Sequence, residues 1–379
     1  MGTPATLRSE RLLALDAFRG MTIAGMLLVN NPGTWSAIYP PLEHAPWHGW
    51  TPTDLIFPFF VFIVGITTHI SLTARERQGV SSSAVTAQIL RRGALIILLG
   101  LLLQAFPFFP WTRLTGLRFP GVLQRIGVCY IAAALIARRR SSRDVAGITA
   151  LLLVVYWGLQ ALVAPPGVAS PTIDVPENTL SAWLDRIIFG RHLWQQSRTW
   201  DPEGLLSTLP AIGTCLLGVL AGRRLSAPEP LPDRLNTLFA AGAVGMVAGL
   251  IWNWVFPINK NLWTSSYVLF TAGMACVALA TLVWLVDLRG RKRWVAPFVT
   301  YGLNPMTAFV GSGMMARTMG LIHVSVGEES LSLQQTIYRT VFASWLTPRL
   351  ASLGYAIAFV VLWYGILRVL ERRGVVLKV

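Results

Sequence analysis

A polytopic, all-α membrane bundle of about ten spans is the fold class this sequence predicts, and three observations lead to it. Of its 379 residues, 54% are hydrophobic and only 13% are charged, about half the charged share of an ordinary soluble domain. Apolar runs recur along the whole length, many near the roughly 20 residues that cross about 30 Å of hydrocarbon. The runs are continuously apolar rather than alternating, which argues against a β-barrel. In lipid such segments satisfy their own amides by forming helices.

The spans are expected near residues 12–30, 52–72, 92–107, 121–137, 145–163, 204–222, 237–256, 263–286, 296–318 and 348–370. Ten spans place both termini on one side. That side collects Arg8, Arg11, Arg75, Arg77, Arg91, Arg92, the run 138–140, Arg143, Arg223, Arg224 and Arg234. It also collects Arg289, Arg291, Lys292, Arg293, Arg368, Arg372, Arg373 and Lys378, making 21 of the 32 Lys and Arg. Positive loops stay in the cytoplasm, so the net charge of +15 reads as a topology signal and not as a nucleic-acid surface. Cys129, Cys215 and Cys276 all fall inside spans and suit small buried residues better than a disulfide or metal framework. The first apolar run contains Asp16 and Arg19 and lacks a small-residue cleavage pattern, so no cleavable signal peptide is expected.

A single transmembrane domain over 1–379 follows, with an outer loop insertion at about 164–203. That loop opens with Pro165, Pro166, Pro171 and Pro176 and continues into an amphipathic stretch, SAWLDRIIFGRHLW. A second outer segment, roughly 321–344, is polar and placed to cover a site. Gly245 and Gly249 have the spacing of close helix–helix packing.

Ionisable residues within spans are costly and are functional candidates by default. Asp16 and Arg19 share one face of the first span, either as an interfacial ion pair or with Arg19 facing an anion. On the opposite face the polar residues are denser. Asn30 ends the first span, His44 lies in EHAPWHGW and Asp54 opens TDLIFPFFVFIVG. Gln124 and Arg125 sit one turn into the fourth span. Asp201 begins DPEGLLSTLPAIG, where Asp-Pro before an apolar run reads as a helix cap. Asn259, Lys260 and Asn261 form the connection FPINKNLW. His44 has carboxylates nearby to orient it as a base. His44 and His48 are four apart, but Pro46 between them disfavours a helix presenting both imidazoles, and no metal is expected. Outer tryptophans, Trp47 among them, read as an interfacial belt in which some rings are free to stack on a sugar.

These motifs carry a family resemblance. RLLALDAFRGMTIAGMLLVN and HAPWHGWTPTDLIFPFFVFIVG, then FPGVLQRIGVCY, AWLDRIIFG, DPEGLLSTLPAIGTCLLGVLAG, FPINKNLWTSSYVL and YGLNPMTAFVG, resemble in order the transmembrane core of heparan-α-glucosaminide N-acetyltransferases. Bacterial relatives of this kind include amino-sugar utilisation proteins to which a transport role has been attached. The resemblance implies a transmembrane acetyltransferase with acetyl-CoA as co-substrate and the amine of glucosamine, or of a glucosamine-bearing glycan, as acceptor. The family's active-site His matches His44 and its helix-ending Asn matches Asn30. This chain departs in a longer, proline-containing loop, NPGTWSAIYPPLE, and in lacking the animal enzyme's amino-terminal domain and extra span.

On this reading His44, Asn30 and Asp54 are catalytic. His44 either deprotonates the acceptor or carries the acetyl group, Asn30 donates to the oxyanion and Asp54 orients the imidazole. Arg19, Arg91, Arg92, Arg125 and Lys260 are candidates to hold CoA, and Asp201, Asn259, Asn261, Gln124 and Trp47 to hold the acceptor. The expected setting is a bacterial inner membrane with the site loop on the periplasmic side. The partners are acetyl-CoA, the amino sugar and the lipid bilayer, with a homodimer left open and no nucleic acid. An amino-sugar transporter is the rival reading, which a break of the ninth span at the Asn304–Pro305 step would favour.

Overall fold

The computed structural model describes residues 12–376; Arg8, Arg11 and Lys378 lie outside them. Helices α1 (Leu13–Asn30), α2 (Ile56–Arg77), α3 (Ser82–Ala105), α4 (Val122–Ala137) and α5 (Ser142–Leu162) run in turn, followed by a short α6 (Leu180–Phe189). Next come α7 (Thr208–Leu225), α8 (Leu231–Trp252), α9 (Ser265–Val283), α10 (Ala296–Leu303) and α11 (Pro305–Leu321). A hairpin of β1 (His323–Val326) and β2 (Glu329–Ser332), α12 (Leu333–Ile337) and α13 (Pro348–Arg372) complete the described chain.

Each of the ten expected segments overlaps helix. Among the described residues seven helical stretches are long and apolar enough to cross a bilayer: 13–30, 52–77, 82–105, 142–162, 231–252, 265–288 and 348–372. Helix α4 is apolar but shorter, with 16 residues. Helix α7 is largely enclosed by its neighbours.

The structure refines three expectations. The ninth segment divides at the Asn304–Pro305 step, where Asn304 leaves the helical region (φ −126°, ψ 53°) and Pro305 starts a new helix; proline supplies no amide to continue the ladder. Within the polar outer segment, residues 323–326 and 329–332 pair as the antiparallel hairpin, with His323 opposite Ser332. Helix α3 starts at Ser82, ten residues before the expected span. A Ser81 side chain accepting from the Ala84 amide caps it, so Arg91 and Arg92 sit well inside the helix and not at its start.

Helix starts are secured locally or from afar. Thr51 and Asp54 form a reciprocal capping box before α2, with Pro52 at the first position. Helix α1 has no cap of its own. The Asp287 carboxylate accepts from the Leu13 and Ala14 amides, both at 3.1 Å, filling two orphan positions. At the basic ends, Arg138 reaches Ser82 and Thr86 of α3, and Arg223 donates to the carbonyls of Ala137 and Arg140. These contacts bring several basic helix ends together at one end of the bundle.

Small residues set the closest helix crossings. A Cβ on Gly65 would collide with the Cys215 carbonyl, and one on Gly218 with the Phe62 carbonyl, so α2 and α7 touch backbone to backbone. Gly20 and Gly302 do the same for α1 and α10. Gly245 and Gly249 meet Gly273 and Phe270 of α9, the packing their spacing implies. Cys129 and Cys215 are buried free thiols and Cys276 is half-buried. Gly218→Ala is expected to lower the thermal midpoint in detergent, by the roughly 1–3 kcal/mol of an overpacked core. Gly147→Ala, which meets open space, should leave the midpoint unchanged.

Candidate functional site

At the end of the bundle opposite the clustered arginines, the loop between α1 and α2 winds around one carboxylate. Asp54 is 1% exposed. Its Oδ1 lies 2.6 Å from His44 Nδ1, and its Oδ2 accepts from the amides of Ala45 and Thr51, each at 3.0 Å, and from the Thr51 hydroxyl. An ionised carboxylate only accepts, so Nδ1 donates, and in a neutral ring Nε2 carries the lone pair. Lys260 Nζ stands 3.3 Å from that Nε2.

The loop that carries Lys260 is built by Asn259, which is fully buried. Its side-chain oxygen accepts from the Leu262 amide at 2.8 Å, and its own amide donates to Thr264 at 3.0 Å. Gly49 donates to the Ile258 carbonyl at 2.7 Å, tying this loop to the His44 loop. The Tyr267 hydroxyl donates to the Asp54 carbonyl.

A cavity of about 140 Å³ descends from these groups between α1, α2, α4 and α11. Asn30, His44, Glu203 and Lys260 line it together with apolar side chains such as Ile23, Met26, Phe57, Phe60 and Ile126. Thr22 lines it as well, and eight residues of helix separate Thr22 from Asn30, about 12 Å along the axis. The result is an apolar passage with a polar end.

Glu203 was not among the residues the sequence singled out, although it lies in the DPEG motif. Its carboxylate is held by Arg118, which also grips Asp201, with Arg118 Nε 2.8 Å from Asp201 Oδ2. Burial works against ionising Glu203, but Arg118, Arg125 and Lys260 outweigh it and hold the carboxyl below its usual range. Burial draws the Lys260 ammonium below the usual lysine range, against the opposing pull of Glu203 and Asp54. Arg118 is missed for the same reason as Glu203: its partners lie 83 and 85 residues away.

Several expected assignments change place. Asp201 does not cap a helix, because α7 begins only at Thr208; Asp201 instead anchors a turn through the Glu203 amide at 2.9 Å and pairs with Arg118. Buried Arg125 does not line the cavity but braces that turn from behind, reaching the Gly204 carbonyl at 3.0 Å and Ser207 at 2.5 Å, over the Trp263 ring. Gln124 packs beside Gly100 and Gly121. Trp47 donates to the Ile173 carbonyl at 2.7 Å and packs on Trp200, again off the cavity. Asn261 is half-buried in the loop. His48 faces Asp174 at 2.9 Å while His44 faces Asp54, so the two imidazoles serve different carboxylates.

Of the cations placed on the other side, Arg19 bonds to Asp16 and to the Gly302 carbonyl, at 3.3 and 3.1 Å. It lies one turn from the cavity-lining Thr22 without lining the cavity itself. Arg92 lies over the Tyr130 ring and Arg91 is exposed; neither lines the cavity.

The DPEG turn is also held by α6. Asp185, 1% exposed, accepts from the Leu205 amide at 2.9 Å. Burial pushes its carboxyl up to about 6. A raised folded-state value favours the protonated form, so this contribution to stability is full below about pH 4 and is lost as pH rises through about 6. Asp185→Asn should therefore flatten the thermal midpoint between pH 4 and 7 relative to the parent. A midpoint that keeps the parent's slope would show that Asp185 does not titrate there.

Two comparisons bear on this arrangement. Residues 11–241 match the family model described as heparan-alpha-glucosaminide N-acetyltransferase, catalytic, a stretch that contains Asn30, His44, Asp54 and Glu203. The chain is also 30% identical to the heparan-alpha-glucosaminide N-acetyltransferases of Mus musculus and Homo sapiens, in each case over 81% of this chain and 54% of the relative. The chain thus spans about half the length of the curated relatives it matches. It belongs to the heparan-alpha-glucosaminide N-acetyltransferase family.

Proposed function

We propose that this chain is a transmembrane N-acetyltransferase that moves acetyl from acetyl-CoA to the amine of glucosamine or a glucosamine-bearing glycan. The observation that carries this reading is the apolar passage ending on the His44–Asp54 pair, beside Asn30 and Lys260. Its apolar walls suit an uncharged pantetheine arm. Acetyl-CoA supplies the activated acyl group. Of the CoA-holding candidates on the cytoplasmic side, Arg19 lies one turn from the cavity-lining Thr22, whereas Arg91 is exposed and Arg92 packs on Tyr130.

Asp54 fixes the imidazole so that Nε2 points its lone pair into the cavity. Lys260 occupies that lone pair and must yield when the acceptor arrives, with Glu203 on the same wall as its counter-charge. His44 Nε2 then takes a proton from the amine as the nitrogen bonds to the thioester carbonyl carbon. Asn30 donates to the oxygen on which charge develops. The C–S bond breaks, and the sulfur leaves with the proton that His44 held. The alternative, in which His44 itself carries the acetyl group, uses the same geometry.

The chain crosses the membrane about ten times, with both termini and the clustered arginines in the cytoplasm and the His44 loop on the outer face of a bacterial inner membrane. The one-sided distribution of 21 cations supports this orientation. Donor and acceptor then approach from opposite sides.

One observation favours the rival reading, an amino-sugar transporter. The α10–α11 break at Asn304 lies beside the cavity, and broken helices mark transporter sites. Uptake of glucosamine into liposomes without CoA would decide for transport. Under the acetyltransferase reading, His44→Ala is expected to bind CoA and fold normally while losing about 10²–10⁴ in acetyl transfer. Asn30→Ala is expected to lose about 10²–10³ in kcat. Full turnover by either folded variant would remove that residue from the mechanism.

A further inference from the structure

Asn259 shapes the Lys260 loop with one end of its side chain and meets a second imidazole with the other. Its oxygen accepts from the Leu262 amide at 2.8 Å, so its NH2 group is the end that faces His48, with Nδ2 3.4 Å from Nδ1 of the ring. An NH2 only donates, so Nδ1 accepts and the proton of the neutral ring sits on Nε2. That N–H donates to Asp174 at 2.9 Å. His48 is the reverse of His44, which donates from Nδ1 to Asp54 and receives Lys260 at Nε2.

The two contacts of His48 lie in different surroundings. Asn259 is fully buried, whereas the Asp174 side chain is 77% exposed and that of His48 31%. The charged residues around the ring come from three segments: Asp174 in the loop before α6, Lys260 one residue beyond Asn259, and Glu43, His44 and Asp54 of the α1–α2 connection. A proton taken up from solvent goes to Nδ1, the ring nitrogen that carries the lone pair. The new N–H then faces the Asn259 NH2, donor against donor, while the bond from Nε2 to Asp174 gains charge and strengthens.

We infer that His48 is a positioning residue for Lys260: the neutral ring accepts the Asn259 amide and holds the Lys260 loop against His44, and a second ring proton releases that loop. The contact breaks on the Asn259 side, because the charged ring gains at Asp174 and loses at Asn259. A buried NH2 without an acceptor is unfavourable, and Asn259 can re-aim its amide only by giving up the Leu262 bond that shapes the loop. Lys260 then no longer engages His44 Nε2, and that nitrogen is open to a solvent proton. The release of the loop stands on geometry alone. Its consequence for turnover rests on the acetyltransferase reading, in which His44 is the base.

The test uses the full chain in lipid nanodiscs and reads hydrogen exchange of the Leu262 and Thr264 amides, corrected for the intrinsic pH dependence of exchange. Between about pH 7.5 and about pH 5.5, the range in which histidines switch, the parent is expected to lose roughly ten-fold in protection of the Leu262 amide. His48→Asn keeps an acceptor oxygen in place of Nδ1 but does not titrate, so its protection should hold at both pH values. His48→Leu accepts nothing and should show the low protection throughout. Protection in the parent that does not change with pH, or that falls equally in His48→Asn, would overturn the inference. So would a folded His48→Leu protein protected like the parent at the higher pH. Acetyl transfer to glucosamine is followed alongside, and the acid limb of kcat/KM should be one proton steeper in the parent than in His48→Asn. Limbs of equal slope would also overturn it. The expected exchange pattern without acetyl transfer by any of the proteins would sustain the positioning role and reject the acetyltransferase reading.

Discussion

A carboxylate that is 1% exposed is tolerable only where donors converge on it, and four converge on Asp54: an imidazole, two backbone amides and a hydroxyl. Meeting that requirement shapes everything near it. The 43–54 loop must wrap inward to bring the Ala45 amide round. Thr51 must sit where it also caps the turn entering α2. His44 is oriented as a by-product of the same convergence, which makes its orientation a property of the fold and not of the ligand. The neighbouring charges obey the same rule. Arg118 answers Asp201 and Glu203, and Lys260 stands between Glu203 and the His44–Asp54 pair. Removing a member of such a buried set leaves its partner's charge exposed to a poor solvent, which costs more than the pairing itself contributes.

Much of the architecture was legible in the sequence because lipid leaves a segment few choices. A long apolar run in a bilayer has to be a helix, and the arginine-rich loops have to lie together. The structure does bring several of the basic helix ends together, through Arg138 and Arg223. Local signals failed where tertiary contact outweighed them. Asp-Pro at 201–202 has the composition of a helix start, yet Arg118 holds Asp201 in a turn and the helix waits until Thr208. Arg91 and Arg92 look like the mouth of a span by charge alone. Long side chains with apolar stems let a helix carry them, and an aromatic face at Tyr130 receives Arg92.

The site was legible as a set of residues but not as a geometry. Asn30, His44 and Lys260 were all picked out, and they do share one cavity. Asn259 was picked out for binding, but its side chain is consumed in shaping the Lys260 loop. Glu203 and Arg118 were missed because nothing local marks them. A carboxylate in a proline- and glycine-bearing turn is unremarkable until an arginine more than 80 residues away is found against it.

Helix α1 carries Asn30 at one end and is gripped by Asp287 at the other. Between them, reciprocal glycine contacts lock it to α10. It behaves as a strut about 26 Å long, stiff along its axis and unable to slide. The height of Asn30 above the cavity floor is therefore gauged from the far face of the protein. A change at Asp287, remote from any reacting atom, acts on the alignment of the cavity's upper rim much as shortening one leg tilts a table.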